Sequence, residues 1–246
     1  MEGLSTRPWR AYHEVSRTAT YGFLMALPLL IAYEVLIWLT NRGEEFPIRI
    51  SAEVWMKRVL PTLGTTGTHI LAAVVLIVGV AIFVYERKKK IPLRVRYAGI
   101  MVIESAVYAV LLAFLVMSIT QQIFAVVPSG IQMREASLAQ QVALSIGAGL
   151  YEELLFRVLL VGGLFLVARL VFQNKLLAYG LAAVAGALLF STVHYIGALG
   201  DPFTLSSFTF RAIFGLALNV LFLVRGFAMA AWTHALYDIL VVTRML

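Results

Sequence analysis

The longest apolar stretch of the chain runs from Ser137 to Phe172 and carries three ionisable side chains near its middle. Each of these, Glu152, Glu153 and Arg157, would cost about 2.5 to 3.5 kcal/mol at the centre of a lipid-facing helix. We therefore expect all three to face protein or a wet cavity. On a helix, Glu153 and Arg157 stand four apart and share a face, so they are predicted to pair. Glu152 points about 100° away and is left without that partner.

Composition extends this constraint to the whole chain, since 61% of its 246 residues are hydrophobic and only 13% are charged. Soluble domains average about 25% charged residues. Several apolar runs reach the roughly 20 residues that a helix needs to cross a bilayer. We predict an all-α, polytopic membrane helix bundle that forms a single domain over residues 1–246, with about seven transmembrane helices and eight as the alternative. The predicted spans cover residues 18–39, 68–85, 97–127, 137–172, 176–196, 208–224 and 227–242.

Two features lie outside a regular pattern of crossings. Residues Ile50–Leu60 are predicted to form an interfacial helix. The stretch from Ser137 to Phe172 is far longer than a perpendicular crossing requires, so it should be tilted, protruding, or kinked near Gly147 or at Gly162-Gly163. Two further acidic residues, Glu34 and Glu104, fall inside predicted spans, where they are either contacts within the bundle or supports for a site.

The charge distribution limits the kinds of partner that the chain can bind, and the cysteine content limits its chemistry. The net charge is +7, and the basic residues cluster between apolar runs, at Arg7, Arg10 and Arg17 and again in Glu86–Lys90. Such clusters are typical of loops that face anionic cytoplasmic headgroups. We therefore predict a cytoplasmic N-terminus in the cell membrane, contact with membrane lipids, and no nucleic-acid partner. The chain has no cysteine, which excludes disulfides and thiolate catalysis.

Two later spans carry further polar pairs. Phe190 and His194, like His234 and Asp238, are four residues apart, so each pair should lie on one face of its helix. Histidine titrates near neutrality, and a buried glutamate can act as a general base.

The turn at Gln173 lies 21 residues from both Glu152 and His194, so a helical hairpin would bring these two side chains to the same depth. His234 and Asp238 belong to a span that can close against them. The pattern predicts a cavity within the membrane lined by two carboxylates and two imidazoles.

These motifs, read together, resemble the type II CAAX prenyl endopeptidase family, also called CPBP or Abi, of glutamic-type intramembrane proteases. The family pattern is E-E-x-x-x-R, F-x-x-x-H and H-x-x-x-N or D on successive membrane helices. In this sequence the matching residues are Glu152, Glu153, Arg157, Phe190, His194, His234 and Asp238. The resemblance covers residues 137–243, which would be the catalytic core.

The resemblance implies hydrolysis of a peptide bond in a membrane-anchored or lipid-modified, CAAX-like protein, without a cofactor. Glu152 and His194 would activate a water, and His234 with Asp238 would hold the developing oxyanion. The remaining motif residues, Glu153, Arg157 and Phe190, would be supports.

One departure keeps a metal mechanism open. The prenyl-processing branch carries Asn where this chain has Asp238, and an ionised carboxylate cannot donate to an oxyanion. Glu152, His194, His234 and Asp238 are all possible zinc ligands, and three such ligands plus water make a hydrolytic site.

Two other function classes compete with the protease. A proton-coupled transporter or channel also uses intramembrane Glu, His and Asp, but it explains neither the motif spacing nor the absence of internal repeats. A non-catalytic scaffold or immunity protein would keep the fold, and it predicts loss of Glu152 or a histidine, which are both retained.

Overall fold

The computed structural model describes residues 8–42, 48–59, 67–124, 136–197 and 200–246, and every regular element within them is helical. The helices are α1 (Pro8–Ser16), α2 (Ala19–Thr40), α3 (Ser51–Val59), α4 (Gly67–Glu86), α5 (Val95–Phe124), α6 (Leu138–Val171), α7 (Lys175–Val193), α8 (Leu205–Arg225) and α9 (Phe227–Val242). Three predicted features, Arg7, Leu60 and the last residues of the third span, lie outside the described residues.

The seven predicted spans all correspond to helices, and the predicted interfacial helix corresponds to α3. Within the described residues, five helices are long and apolar enough to cross a membrane, namely α2, α5, α6, α7 and α8. The apolar helix α9 is shorter, with 16 residues. The predicted all-α, polytopic bundle is therefore confirmed.

Polar residues placed just before the apolar runs explain where four helices begin. The side chains of Thr18, Ser137, Asn174 and Thr204 each accept a hydrogen bond from a backbone N–H in the first turn of the helix that follows. Such N-caps satisfy donors that have no partner within the helix. At the other end of α8, Gly226 has φ of +86°, a conformation that glycine adopts without a steric penalty. The chain therefore passes from α8 to α9 through one residue.

The short helix α9 lies in the middle of the bundle. It packs against α2, α5, α6 and α8, and the run Ala228–Ala231 is fully buried. Small side chains allow neighbouring helices to approach closely, which is how helices associate in a membrane. Because other helices surround it, α9 holds the polar residues His234 and Asp238 against protein and away from lipid.

The helix α6 changes its winding where it carries the acidic motif. Residues Ala148–Glu152 and Leu154–Val161 are π-helical, and α-helix resumes at Gly162. The sequence predicts that this long stretch is tilted, protruding, or kinked near Gly147 or at Gly162-Gly163, and the structure has π-helical segments between these glycines. Long π-helices are rare, and shorter ones occur frequently at functional sites.

Glycine at one position brings this π-helical segment against α9. A Cβ added to Gly149 would lie 2.5 Å from the backbone oxygen of Ala231 and 2.6 Å from the Cβ of Ala235. Both are too close for any other residue, so the contact between the two backbones requires glycine.

The buried carboxylate of Glu104 on α5 joins three parts of the chain. Arg225, at the end of α8, donates to its two oxygens at 2.9 and 2.7 Å, and Tyr12 of α1 donates at 2.5 Å. Arg225 also donates to Ser16 at 3.1 Å. Glu104 is therefore a contact within the bundle that holds α1 to α5 and α8.

Glu34 of α2 also pairs with an arginine. Arg49 lies 3.3 Å from Glu34 and 2.6 Å from Glu53, which is fully buried on α3 and accepts a hydrogen bond from Tyr33. These contacts hold α3 against the bundle, where it packs on the π-helical segment of α6. Trp55 of α3 packs beside the buried aromatic residues of that region.

Replacing Gly149 by alanine should lower the stability of the bundle. The added methyl group has no room against α9, and such overpacking costs about 1 to 3 kcal/mol. The matched control is Gly163→Ala on the same helix, where an added Cβ meets no atom within 4 Å. This control should gain up to about 1 kcal/mol from helix propensity. Thermal unfolding of both purified proteins in one detergent compares them, and a loss of stability in both would contradict the assigned contact.

Candidate active site

One oxygen of Glu153 links two helices at the centre of the site. Glu153 is fully buried on α6, and its Oε1 lies 3.0 Å from Nη1 of Arg157. The same oxygen accepts a hydrogen bond of 2.7 Å from Nδ1 of His234 on α9. The predicted pairing of Glu153 with Arg157 is thus observed. The contact with His234 is additional, and it connects the first motif with the third.

Arg157 is held by α8 as well as by Glu153. Its Nη2 donates to the backbone oxygen of Gly215 at 3.4 Å, and its guanidinium lies 4.6 Å from the ring centroid of Phe190 on α7. A cation over an aromatic face is attracted by the ring quadrupole. Arg157 is 1% exposed, so these contacts replace water around a buried charge.

Phe190 is the point at which the three motifs meet. Its ring centroid lies 4.8 Å from that of His194 and 6.2 Å from that of His234, in edge-to-face arrangements. Phe156 of α6 contacts it in the same manner at 5.1 Å. With Arg157 over its ring, Phe190 touches a member of each motif. Its predicted supporting role therefore corresponds to packing between α6, α7 and α9.

His194 follows the last residue of α7 and has a defined proton arrangement. Its Nδ1 lies 2.7 Å from the backbone oxygen of Phe190. A carbonyl oxygen only accepts, so Nδ1 must carry the hydrogen. In the neutral imidazole the lone pair is then on Nε2, which can take a proton.

His234 has a carboxylate near each of its ring nitrogens. Nδ1 donates to Glu153, and Nε2 lies 3.5 Å from Oδ2 of Asp238. His234 and Asp238 thus share one face of α9, as their spacing predicts. Because Glu153 fixes Nδ1 as a donor, the ring cannot rotate without breaking a buried hydrogen bond.

Glu152 differs from its neighbour in having no direct protein partner. It is half-buried, and within the described part of the chain it forms no hydrogen bond or ion pair. It interacts electrostatically with His234 and Asp238. The predicted difference in pairing, with Glu153 paired and Glu152 left without that partner, is observed. The structure brings Glu152 into no direct contact with His194.

A cation that the sequence analysis did not identify lies beside His194. Arg211 of α8 pairs with Asp201 and donates to the hydroxyl of Tyr195 at 2.8 Å. The available signal was a charged residue within a predicted span, which usually marks a functional region. The contact between Glu153 and His234 also has no sequence signal, since these residues lie on helices that are far apart in the chain.

The zinc alternative was also compared with the geometry. Among the residues that the structure describes, no three His, Asp or Glu side chains are grouped so that they could hold a metal ion. The proposed ligands Glu152, His194, His234 and Asp238 therefore do not form such a group as they are arranged here. Substitutions at Asp238 can test whether the reaction uses zinc.

Comparison with known proteins gives one match. Residues 134–240 match the family model described as Type II CAAX prenyl endopeptidase Rce1-like, and this range contains all three motifs. Over this range the chain is similar to the Rce1-like family. No curated protein and no solved structure matches the chain.

The Rce1-like match confirms the resemblance inferred from the motifs. Together with the five apolar helices, it indicates a multi-pass membrane protein and supports a CAAX protease-like hydrolase in coarse terms. The matched range overlaps the predicted catalytic core, residues 137–243, whose bounds remain a prediction.

The two single substitutions in the buried ion pair should together lower stability by more than the double substitution does. Glu153→Ala and Arg157→Ala each leave a buried charge without its partner, at a cost of about 3 to 5 kcal/mol. Thermal stability of both singles and the double in detergent measures the coupling. We expect the double to lose less than the sum of the singles, and additive losses would argue against direct pairing.

Proposed function

We propose that the protein is a glutamic-type intramembrane endopeptidase in the cell membrane. Its substrate would be a membrane-anchored or lipid-modified, CAAX-like protein, and no cofactor would be required. The observation that best supports this proposal is the different surroundings of two adjacent carboxylates. Glu153 is fixed by Arg157 and His234, whereas Glu152 is half-buried and has no hydrogen-bond or ion-pair partner among the residues that the structure describes. A free carboxylate beside a rigid charged frame is suited to general-base catalysis.

In the proposed reaction, Glu152 takes a proton from a water while the water oxygen bonds to the carbonyl carbon of the scissile peptide. Nε2 of His194 accepts a hydrogen bond from the same water, because Nδ1 is already committed to Phe190. The carbonyl oxygen becomes an oxyanion. The carbon–nitrogen bond then breaks as the departing nitrogen takes the proton held by Glu152.

His234 and Asp238 are proposed to stabilise the oxyanion. With its Nδ1 hydrogen directed at Glu153, the imidazole can donate from Nε2 only when it carries both protons. The carboxylates of Glu153 and Asp238 lie on its two sides and offset that charge. A donor held in place before the reaction is the arrangement that favours oxyanion stabilisation.

The proposed orientation places the N-terminus in the cytoplasm. The turn Arg87–Lys89 after α4 is exposed and basic, as are Lys90 and Arg94 that follow it. Such residues contact anionic lipid headgroups on the cytoplasmic side. The partners expected are therefore membrane lipids and a membrane-anchored protein or peptide.

Glu152→Gln and His194→Ala should each abolish hydrolysis while leaving the protein inserted and folded. Both remove a proton-accepting group from the proposed water site, and neither breaks a contact between helices. Purified variants would be assayed for cleavage of lipid-modified C-terminal peptides in detergent or liposomes. Glu34→Gln, in another membrane helix, is the matched control and should retain activity. Near wild-type turnover by either site variant would rule out this mechanism.

Asp238 separates the metal-free mechanism from the zinc mechanism. If Asp238 only orients His234, asparagine can replace it at modest cost, as the resemblance to the prenyl-processing branch implies. If Asp238 binds a metal, an amide is a poorer ligand and metal affinity should fall. We expect Asp238→Asn to remain active and insensitive to chelators, and Asp238→Ala to lose most activity. Turnover with and without added zinc tests this, and an Asp238→Asn enzyme that needs zinc would contradict it.

A further inference from the structure

The connection after His194 is tied back to the membrane helices by one arginine. Arg211, the seventh residue of α8, pairs with Asp201 and donates to Tyr195 at 2.8 Å. Its guanidinium also lies 5.1 Å from the ring centroid of Tyr195. The side chain of Arg211 is 12% exposed and that of Asp201 is 34% exposed, so the cation is mostly shielded and its partner is partly open to solvent.

Both partners of Arg211 are attached to His194 itself. Tyr195 follows His194 in the chain, and the backbone N–H of Asp201 donates to the backbone oxygen of His194 at 2.9 Å. The Tyr195 hydroxyl is also 2.5 Å from Oγ of Ser207 on α8. Because α7 ends at Val193, the backbone of His194 lacks a full set of helical hydrogen bonds. The contacts through Arg211 supply restraint at the point where the helix no longer does.

We propose that Arg211 and Asp201 form a latch that holds the imidazole of His194 in position for the reaction. This inference rests on the proposed function, in which His194 helps to activate water. Arg211 is accordingly a positioning residue, which acts through Asp201 and Tyr195 on the backbone that carries His194. The latch fixes the position of His194 relative to α8. The same helix contacts the site through the hydrogen bond from Arg157 to the backbone oxygen of Gly215.

A second reading is that Arg211 acts only through its charge, since its field reaches His194. The two readings predict different directions of change in the reactivity of His194. If charge alone matters, removing the cation with Arg211→Ala and removing the anion with Asp201→Ala should change the reactivity of His194 in opposite directions. If the latch matters, both variants release the same backbone and should change the reactivity of His194 in the same direction.

The experiment measures the reactivity of His194 directly. Purified protein is treated with diethyl pyrocarbonate, and modification of the His194 peptide is followed by mass spectrometry, with N-acetylhistidine added to each reaction as the reference. We expect Arg211→Ala, Asp201→Ala and the double variant each to change the His194 rate several-fold in the same direction. The double should be no more affected than the singles, because either substitution alone opens the latch.

The matched control is Arg225→Ala on the same helix. Arg225 also forms a buried ion pair, with Glu104, and lies roughly 21 Å along α8 from Arg211, at 1.5 Å per residue. It should lower thermal stability but leave His194 reactivity unchanged. A change in the control as large as that in the latch variants would show that general loosening is the cause, and would overturn the proposal.

Turnover of lipid-modified peptides is measured on the same preparations. The latch variants should lose kcat by about 10- to 100-fold with little change in KM, as expected when a catalytic group is misplaced. Unchanged His194 reactivity, opposite shifts in the two single variants, or normal kcat would each overturn the latch. If the wild-type protein cleaves no peptide, the proposed function fails, and the His194 rates alone then decide the latch.

Discussion

A fully buried carboxylate inside an apolar bundle is the constraint on which the site depends. The charge of Glu153 cannot remain unmatched in such surroundings, because removing it from water costs several kcal/mol. Arg157 supplies an opposite charge from the same helix, and His234 supplies a hydrogen bond from α9. Each partner is in turn fixed by packing, Arg157 over Phe190 and His234 among aromatic rings. The need to satisfy one charge therefore orders four helices.

The close approach of α6 and α9 makes this arrangement possible. The hydrogen bond of 2.7 Å between Glu153 and His234 joins these two closely packed helices. Gly149 and the alanines of α9 remove the side chains that would separate them. The π-helical winding of α6 begins at Ala148, where this contact is made. Small residues and irregular winding thus occur at the position where the charged frame is assembled, as is common at functional sites.

The parts of the structure that the sequence predicted are those encoded by local patterns. Apolar runs located the seven predicted spans, and four-residue spacing predicted the pairs Glu153–Arg157 and His234–Asp238. Contacts between distant segments had no such signal. Neither the bond from His234 to Glu153 nor the pairing of Arg211 with Asp201 follows from spacing. The π-helical segment was also missed, because the glycines that bound it indicate equally well a kink.

The adjacent glutamates illustrate why the same residue type can serve opposite purposes one position apart. Rotation by one residue along α6 directs Glu153 toward α9 and leaves Glu152 at the half-buried side. Glu153 is held by two partners and contributes rigidity, whereas Glu152 has none among the described residues and, in the proposed reaction, exchanges a proton. In the proposed reaction, rigidity on one side would benefit the chemistry on the other, since neighbours that are already in place need not reorganise. The buried pair is thus best understood as the support that allows Glu152 to stay unpaired.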